Sequence, residues 1–227
     1  MACKLCARLR AHLWEKTDAW ERAYASEQGP WSDDPVKSLE LVEQAYAVQK
    51  TDPDAAHELF LDAAEAGSAW AMNVVAFRYW TGDSVAEDLD WAEEYYRRAI
   101  DAGSWMATTH FARLLDERGR HDESDQMLKD CVERDFAPAF FWLGMHQYRR
   151  RKSRMVYREI RPMLEHAADA GHPAAHAYLG SWMLCGKFGL RYVPTGFKWM
   201  SRWMARPEAQ VDLYEMCRRA ENAPARA

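Results

Sequence analysis

The chain has 227 residues, 48% of them hydrophobic, with 11 Trp and a net charge of −5. That much apolar material excludes a chain too polar to bury a core, and no run approaches the ~20 apolar residues of a membrane-spanning helix. The charge is uneven: seven basic residues against one acid between positions 149 and 161 leave −11 on the remainder, so one basic spot sits on an acidic body.

Residues 2–27 place Leu5, Leu9, Leu13, Trp20 and Tyr24 mostly four apart, which lines one helix face. Charges interrupt this stretch too often for the apolar region of a signal peptide, and Gly29 and Pro30 end the helix. Asp34 before Pro35 and Asp52 before Pro53 each supply a capping carboxylate followed by a residue pre-set for the first helical turn. Helices are expected at 35–50 and 53–66, closing at Gly67, then at 69–81, 88–102, 105–117, 121–134, 137–150, 154–170, 173–185 and 195–205. A last helix at 207–221, with Val211, Tyr214 and Arg218 on a half-polar face, is expected to cap the array, and the tail from Asn222 to fray. The expected organisation is a leading helix and linker at 1–34, a repeat body at 35–206 and a capping segment at 207–227.

The repeat is carried by its turns. Gly67 and Gly103 stand 36 residues apart, as do Gly171 and Pro207, and the interval of 68 between Gly103 and Gly171 holds one unit of 32 and one of 36. A period of this size belongs to a stacked array in which each unit buries its apolar face against its neighbours. In the first full unit Ala71, Val75, Ala76 and Tyr79 share a helix face, Gly82, Val85 and Asp88 form the turn, and Ala92, Tyr95, Ala99 and Gly103 complete the second helix. Ala107 and Ala112, then Ala139, Leu143 and Gly144, then Ala175, Leu179 and Gly180 return in the same slots.

This pattern resembles the Sel-one-like repeat, a relative of the tetratricopeptide repeat, over about residues 35–207. The resemblance implies an all-α, right-handed superhelical solenoid of paired antiparallel helices, with Ala76, Gly144 and Gly180 letting helices approach closely. It also implies a non-catalytic adaptor or regulatory subunit in signalling, envelope-associated or stress pathways, presenting its concave face to a protein or peptide. The chain departs from the pattern at Ser84 in place of a loop glycine, at Leu115 in place of a tyrosine, at the shortened turn around Gly119, at an arginine-rich third turn and at an extended fourth one, residues 186–196.

On the inner curve the slots between core positions hold Phe77, Trp80, His110, Arg113, Phe141, Met145, Tyr148, Tyr178 and Trp182. Aromatic, Met and Arg residues enrich protein-binding surfaces, so these nine are the expected partner contacts, and alanine at Phe141, Tyr148 or Trp182 is expected to leave folding largely intact. The alternative surface is the basic edge of Arg149, Arg150, Arg151, Lys152, Arg154, Arg158 and Arg161, which suits a nucleic acid or other polyanion. Its plain reading is a solvated loop balancing acidic neighbours.

No metal or other cofactor is expected. Cys3 and Cys6, with His12 nearby, make half of a four-ligand zinc set, and the residues between His172 and His176 include no acid of the HExxH type, with His166 further upstream. No phosphate-cradling glycine loop or nucleophile elbow is present, so the reading is not an enzyme. Five cysteines out of phase with the repeat point to a reducing, cytoplasmic setting.

Overall fold

Helix starts and stops are made where the sequence spaces them. The side chain of Asp52 accepts from the Ala55 N–H at 3.0 Å with Pro53 in the first turn, and Asp88 accepts from Asp90 and Trp91. Ser68 and Ser104 do the same for Ala71 and Ala107. In the computed structural model, which describes residues 4–28, 36–151 and 153–204, the helices are α1 (Lys4–Gln28), α2 (Val36–Val48), α3 (Pro53–Glu65), α4 (Ala69–Thr81), α5 (Leu89–Asp101), α6 (Trp105–Glu117), α7 (His121–Glu133), α8 (Ala137–Arg151), α9 (Arg154–Asp169), α10 (Pro173–Leu184) and α11 (Val193–Met204). A short 3-10 turn, Leu190–Tyr192, precedes α11. The Asp34 cap, Cys3 and the closing helix expected at 207–221 lie outside the described residues, as do the side chains of Cys6, Lys152 and Arg154.

The turn between pairs is one hydrogen-bonded device repeated four times. Gly67, Gly103 and Gly171 take φ of 99°, 91° and 106°, and the residue after each donates back five positions: Ser68 to Ala63, Ser104 to Ala99 and His172 to Ala167, at 2.9–3.0 Å. That is the left-handed helix stop that satisfies the last carbonyls. Asp135 fills the same place between Gly103 and Gly171, with φ of 61° and Phe136 donating to Cys131 at 3.0 Å. The steps are therefore 36, 32 and 36. Ser84, standing where the pattern wants glycine, is also left-handed at φ of 66°. An L-residue is strained there by about 1–2 kcal/mol, so Ser84→Gly is expected to raise stability by up to about 1 kcal/mol, the added freedom of the unfolded chain offsetting part of the gain. A lowered urea midpoint would refute it.

The chain divides into a central unit, Asp18–His146, and a second unit formed by Met1–Thr17 with Gln147–Ala227, so the boundaries fall inside α1 and α8. In the central unit α2 to α7 pack in sequence, and α4 also packs on α6, its counterpart one repeat later. Ala71, Val75, Ala76, Ala92, Tyr95, Ala99, Phe111, Leu114 and Leu115 are buried in its core. In the second unit α10 packs on α9 and on α11. Gly196 of α11 lies so close that a Cβ there would stand 2.8 Å from Met183 Cβ, 2.9 Å from Leu184 N and 3.2 Å from the Gly180 carbonyl oxygen.

At the shortened turn, charge replaces loop length. Glu93 on α5 accepts from Arg118 at 3.1 Å and Arg120 at 2.6 Å, and pairs with Arg97. Burial raises the Glu93 carboxyl, but the Arg120 hydrogen bond and the Arg97 charge outweigh it and leave the group below its ordinary 4.5. A carboxyl lowered on folding adds stability above the unfolded value, and that stability is lost as pH falls through the folded one. Glu93→Gln is therefore expected to flatten the fall in melting temperature below about pH 4.5; profiles of unchanged slope would remove the network from the acid response.

Candidate functional site

One repeat slot recurs on the leading helices. His110 on α6, Trp142 on α8 and Tyr178 on α10 are separated by the repeat's own steps of 32 and 36. Trp142 is absent from the nine residues expected above, although counting from either neighbour finds it. Adjacent Phe141 is turned from it by roughly 100° along the helix, and both are buried, at 0% and 2% exposure.

In the central unit Trp142 of this slot lies against a cation. The Arg113 guanidinium lies 4.1 Å from the Trp142 ring centroid and 5.0 Å from that of Trp80, between two indoles. Such faces attract a desolvated cation by about 2 kcal/mol. Trp80 Nε1 donates to Glu117 Oε2 at 3.0 Å, and Trp142 Nε1 donates to Glu21 Oε1 at 2.9 Å. Glu21 belongs to α1 and is 2% exposed. Burial draws the Arg113 guanidinium below its usual value, and Glu21 is foremost among the charges that oppose this. The later half of α1 thus lies against α6 and α8, with Tyr24 5.8 Å from Phe136 at the foot of α8.

Beside it opens a cleft of about 240 Å³, lined by Asp18, Arg22, Tyr46, Trp70, Asn73, Phe77, Arg78 and His110 among others. Trp70 Nε1 donates to Tyr46 Oη at 2.9 Å, and Asn73 Oδ1 stands 3.1 Å from His110 Nδ1. Burial, then the charges of Arg113 and Arg22, hold the His110 ring well below its ordinary value and so neutral.

The second unit carries a separate aromatic group. Trp182 is 4.6 Å from Tyr148, 5.1 Å from Tyr157 and 5.2 Å from Tyr178, ring centre to ring centre, and Trp14 of α1 is 6.3 Å from Tyr178. Tyr148, Tyr178 and Trp182 are each partly exposed.

The nine expected contacts therefore separate. Phe77, Arg113, Tyr148, Tyr178 and Trp182 keep part of their surface. Trp80, His110, Phe141 and Met145 are buried, at 9%, 2%, 0% and 3% exposure. These four are covered by neighbouring side chains, so the expectation of exposed contacts does not hold for them.

The basic edge is not a loop throughout. Arg149, Arg150 and Arg151 form the last turn of α8, where cations complement the helix dipole, while Arg158 and Arg161 lie on α9. Arg151 pairs with Glu159, and Arg161 with Glu165 at 3.1 Å while lying over the Tyr192 ring. His172 is a helix cap: its Nδ1 accepts from the Ala175 N–H at 3.1 Å. His176 packs 5.2 Å from Trp199.

Asp116, His146 and Ser124 come together without forming a nucleophile and its base. Ser124 Oγ donates to the Ala112 carbonyl at 2.7 Å, and His146 Nδ1 lies 3.1 Å from it. With the hydroxyl proton committed to Ala112, the imidazole donates to serine, the reverse of what base activation requires. Ser124 and His146 are also 0% exposed.

Among solved structures the chain is similar to a Sel1 repeat protein from Oxalobacter formigenes, at 17% identity and a TM-score of 0.60 over 86% of each chain. It is similar to a protective antigen of uropathogenic Escherichia coli displaying an SLR fold, at 19% identity and 0.55 over 73% of this chain, which spans 38% of the antigen. An immunity protein from Pseudomonas aeruginosa follows at 21% and 0.52, with 66% of this chain and 60% of that one covered. The fold is that of the Sel1-like repeat. No family model matches the sequence, and no curated protein does. What the Sel1-like likeness carries is architecture: helix pairs stacked as a repeat scaffold, without a helix among the described residues long and apolar enough to cross a membrane.

Proposed function

We propose that this protein is a non-catalytic, cytoplasmic scaffold that binds a segment of a partner protein through the inner face of its leading helices. The observation that carries the reading is the partly exposed group of Tyr148, Tyr178 and Trp182 on α8 and α10. Large aromatic side chains held rigid by mutual packing offer area at little ordering cost. Because Arg151 and Arg161 are paired with Glu159 and Glu165, the basic edge has less charge free for a polyanion than its sequence alone implies.

The test is the affinity of the recovered partner at two salt concentrations. Trp182→Ala or Tyr148→Ala is expected to weaken binding by about 2 kcal/mol, whereas charge reversal at Arg149 and Arg158 changes little. The opposite ranking, with a flattened salt dependence, would give the function to the basic edge and a polyanion.

A further inference from the structure

Glu21 and Asp18 of α1, which is far away in sequence, oppose the burial of Arg113 together with Glu117 of α6. Glu21 accepts from Trp142 across 121 positions, and Arg113 lies between Trp142 and Trp80. The repeat steps make Trp142 equivalent to Tyr178, and in the second unit it is again α1, through Trp14, that packs on that slot. Tyr24, one turn after Glu21, packs on Phe136. Within the central unit α1 thus presents a carboxylate, Glu21, and an aromatic three residues further, Tyr24, to the slot of Trp142 and to Phe136. An amphipathic helix laid in a groove is a standard recognition mode, and here the chain supplies the helix itself.

From this arrangement we propose that the later half of α1 is a built-in occupant of a binding face of the central unit, and that the partner is an amphipathic helix whose own carboxylate replaces Glu21 as acceptor of the Trp142 N–H beside Arg113. The proposal rests on the scaffold reading above and specifies its ligand. Three features fix the partner's chemistry. The guanidinium between two indoles needs an anion, the Trp142 N–H needs an acceptor, and Phe136 offers an apolar seat one turn away. A helix tethered in cis competes at high effective concentration, so α1 holds the face closed until a partner outbinds it or α1 is released.

Two measurements on the full chain test this. The first uses fluorescein-labelled synthetic peptides of residues 13–28, with the native sequence and with Glu21→Gln. In the chain variant Glu21→Lys a like charge meets Arg113 and expels α1, so this variant should bind the native peptide at least about tenfold more tightly than the wild-type chain does. The Glu21→Gln peptide should bind the same variant about tenfold more weakly than the native one. Equal binding by both chains, or of both peptides, overturns the proposal.

The second is hydrogen exchange on the unmodified chain, which needs no variant to fold. Amides of residues 18–25 should exchange at least about tenfold faster than those of α6 and α8, because a displaceable helix opens without the core. Protection equal to that of α6 and α8 would make α1 an integral core helix and end the idea. Either failure leaves the Tyr148 and Trp182 measurements standing, whereas their failure with peptide binding intact would move the working surface to the central unit.

Discussion

Phe141→Ala is expected to lower the unfolding free energy by about 3–5 kcal/mol, the range for truncating a fully buried aromatic and leaving a cavity. Phe141 is 0% exposed and meets Trp142 edge-on at 5.1 Å. The inner-curve reading of the sequence has this residue as a partner contact whose loss spares folding, and its burial reverses that expectation. The measurement is the urea midpoint at constant slope, beside Tyr148→Ala, whose partly exposed ring should cost less. If Phe141→Ala melts like the wild type, the residue does not sit in the core.

Gly196→Leu should be comparably damaging, costing about 1–3 kcal/mol or more through overpacking. The contact is with backbone as well as side chain: 2.9 Å to Leu184 N and 3.2 Å to Gly180 O leave no space for a Cβ, let alone an isobutyl group. The helices α10 and α11 would have to separate, exposing Met183 and Trp199, which are 0% and 8% exposed. Even Gly196→Ala should lower the denaturation midpoint, while Gly119→Ala, with open space around it but φ of 77°, isolates the backbone cost alone. If the two alanine variants are destabilised equally, helix crowding at Gly196 is not the cause.

Features fixed by neighbours along the chain were legible in the sequence. Asp52–Pro53 starts a helix because a side-chain oxygen three residues away satisfies an N–H that no helix turn can. The glycine steps foretold the turns at Gly67, Gly103 and Gly171, whereas the turn between Gly103 and Gly171 falls at Asp135, a left-handed residue that looks ordinary in the sequence. His172 was harder to read: spaced like a metal ligand, it is the N-cap of α10, a role that imidazole shares only through its ring nitrogen.

Tertiary structure decided which apolar residues face inward and what covers the rest. Phe141 and Trp142 are equally aromatic, adjacent and buried, at 0% and 2% exposure, and only the folded chain places Trp142 against Arg113 and Glu21. Periodicity defines a helix face to within a residue or so, but one residue is roughly 100° of rotation. Glu21 gave no local signal, because its partner is 121 positions away and a carboxylate on a helix reads as a solvated charge until a buried guanidinium is placed beside it. The sequence by itself determined where the helices begin, end and repeat, through hydrogen bonds closed within a few residues. The docking of α1 and the close approach at Gly196 depend on contacts between distant segments, and those exist only once the chain has folded.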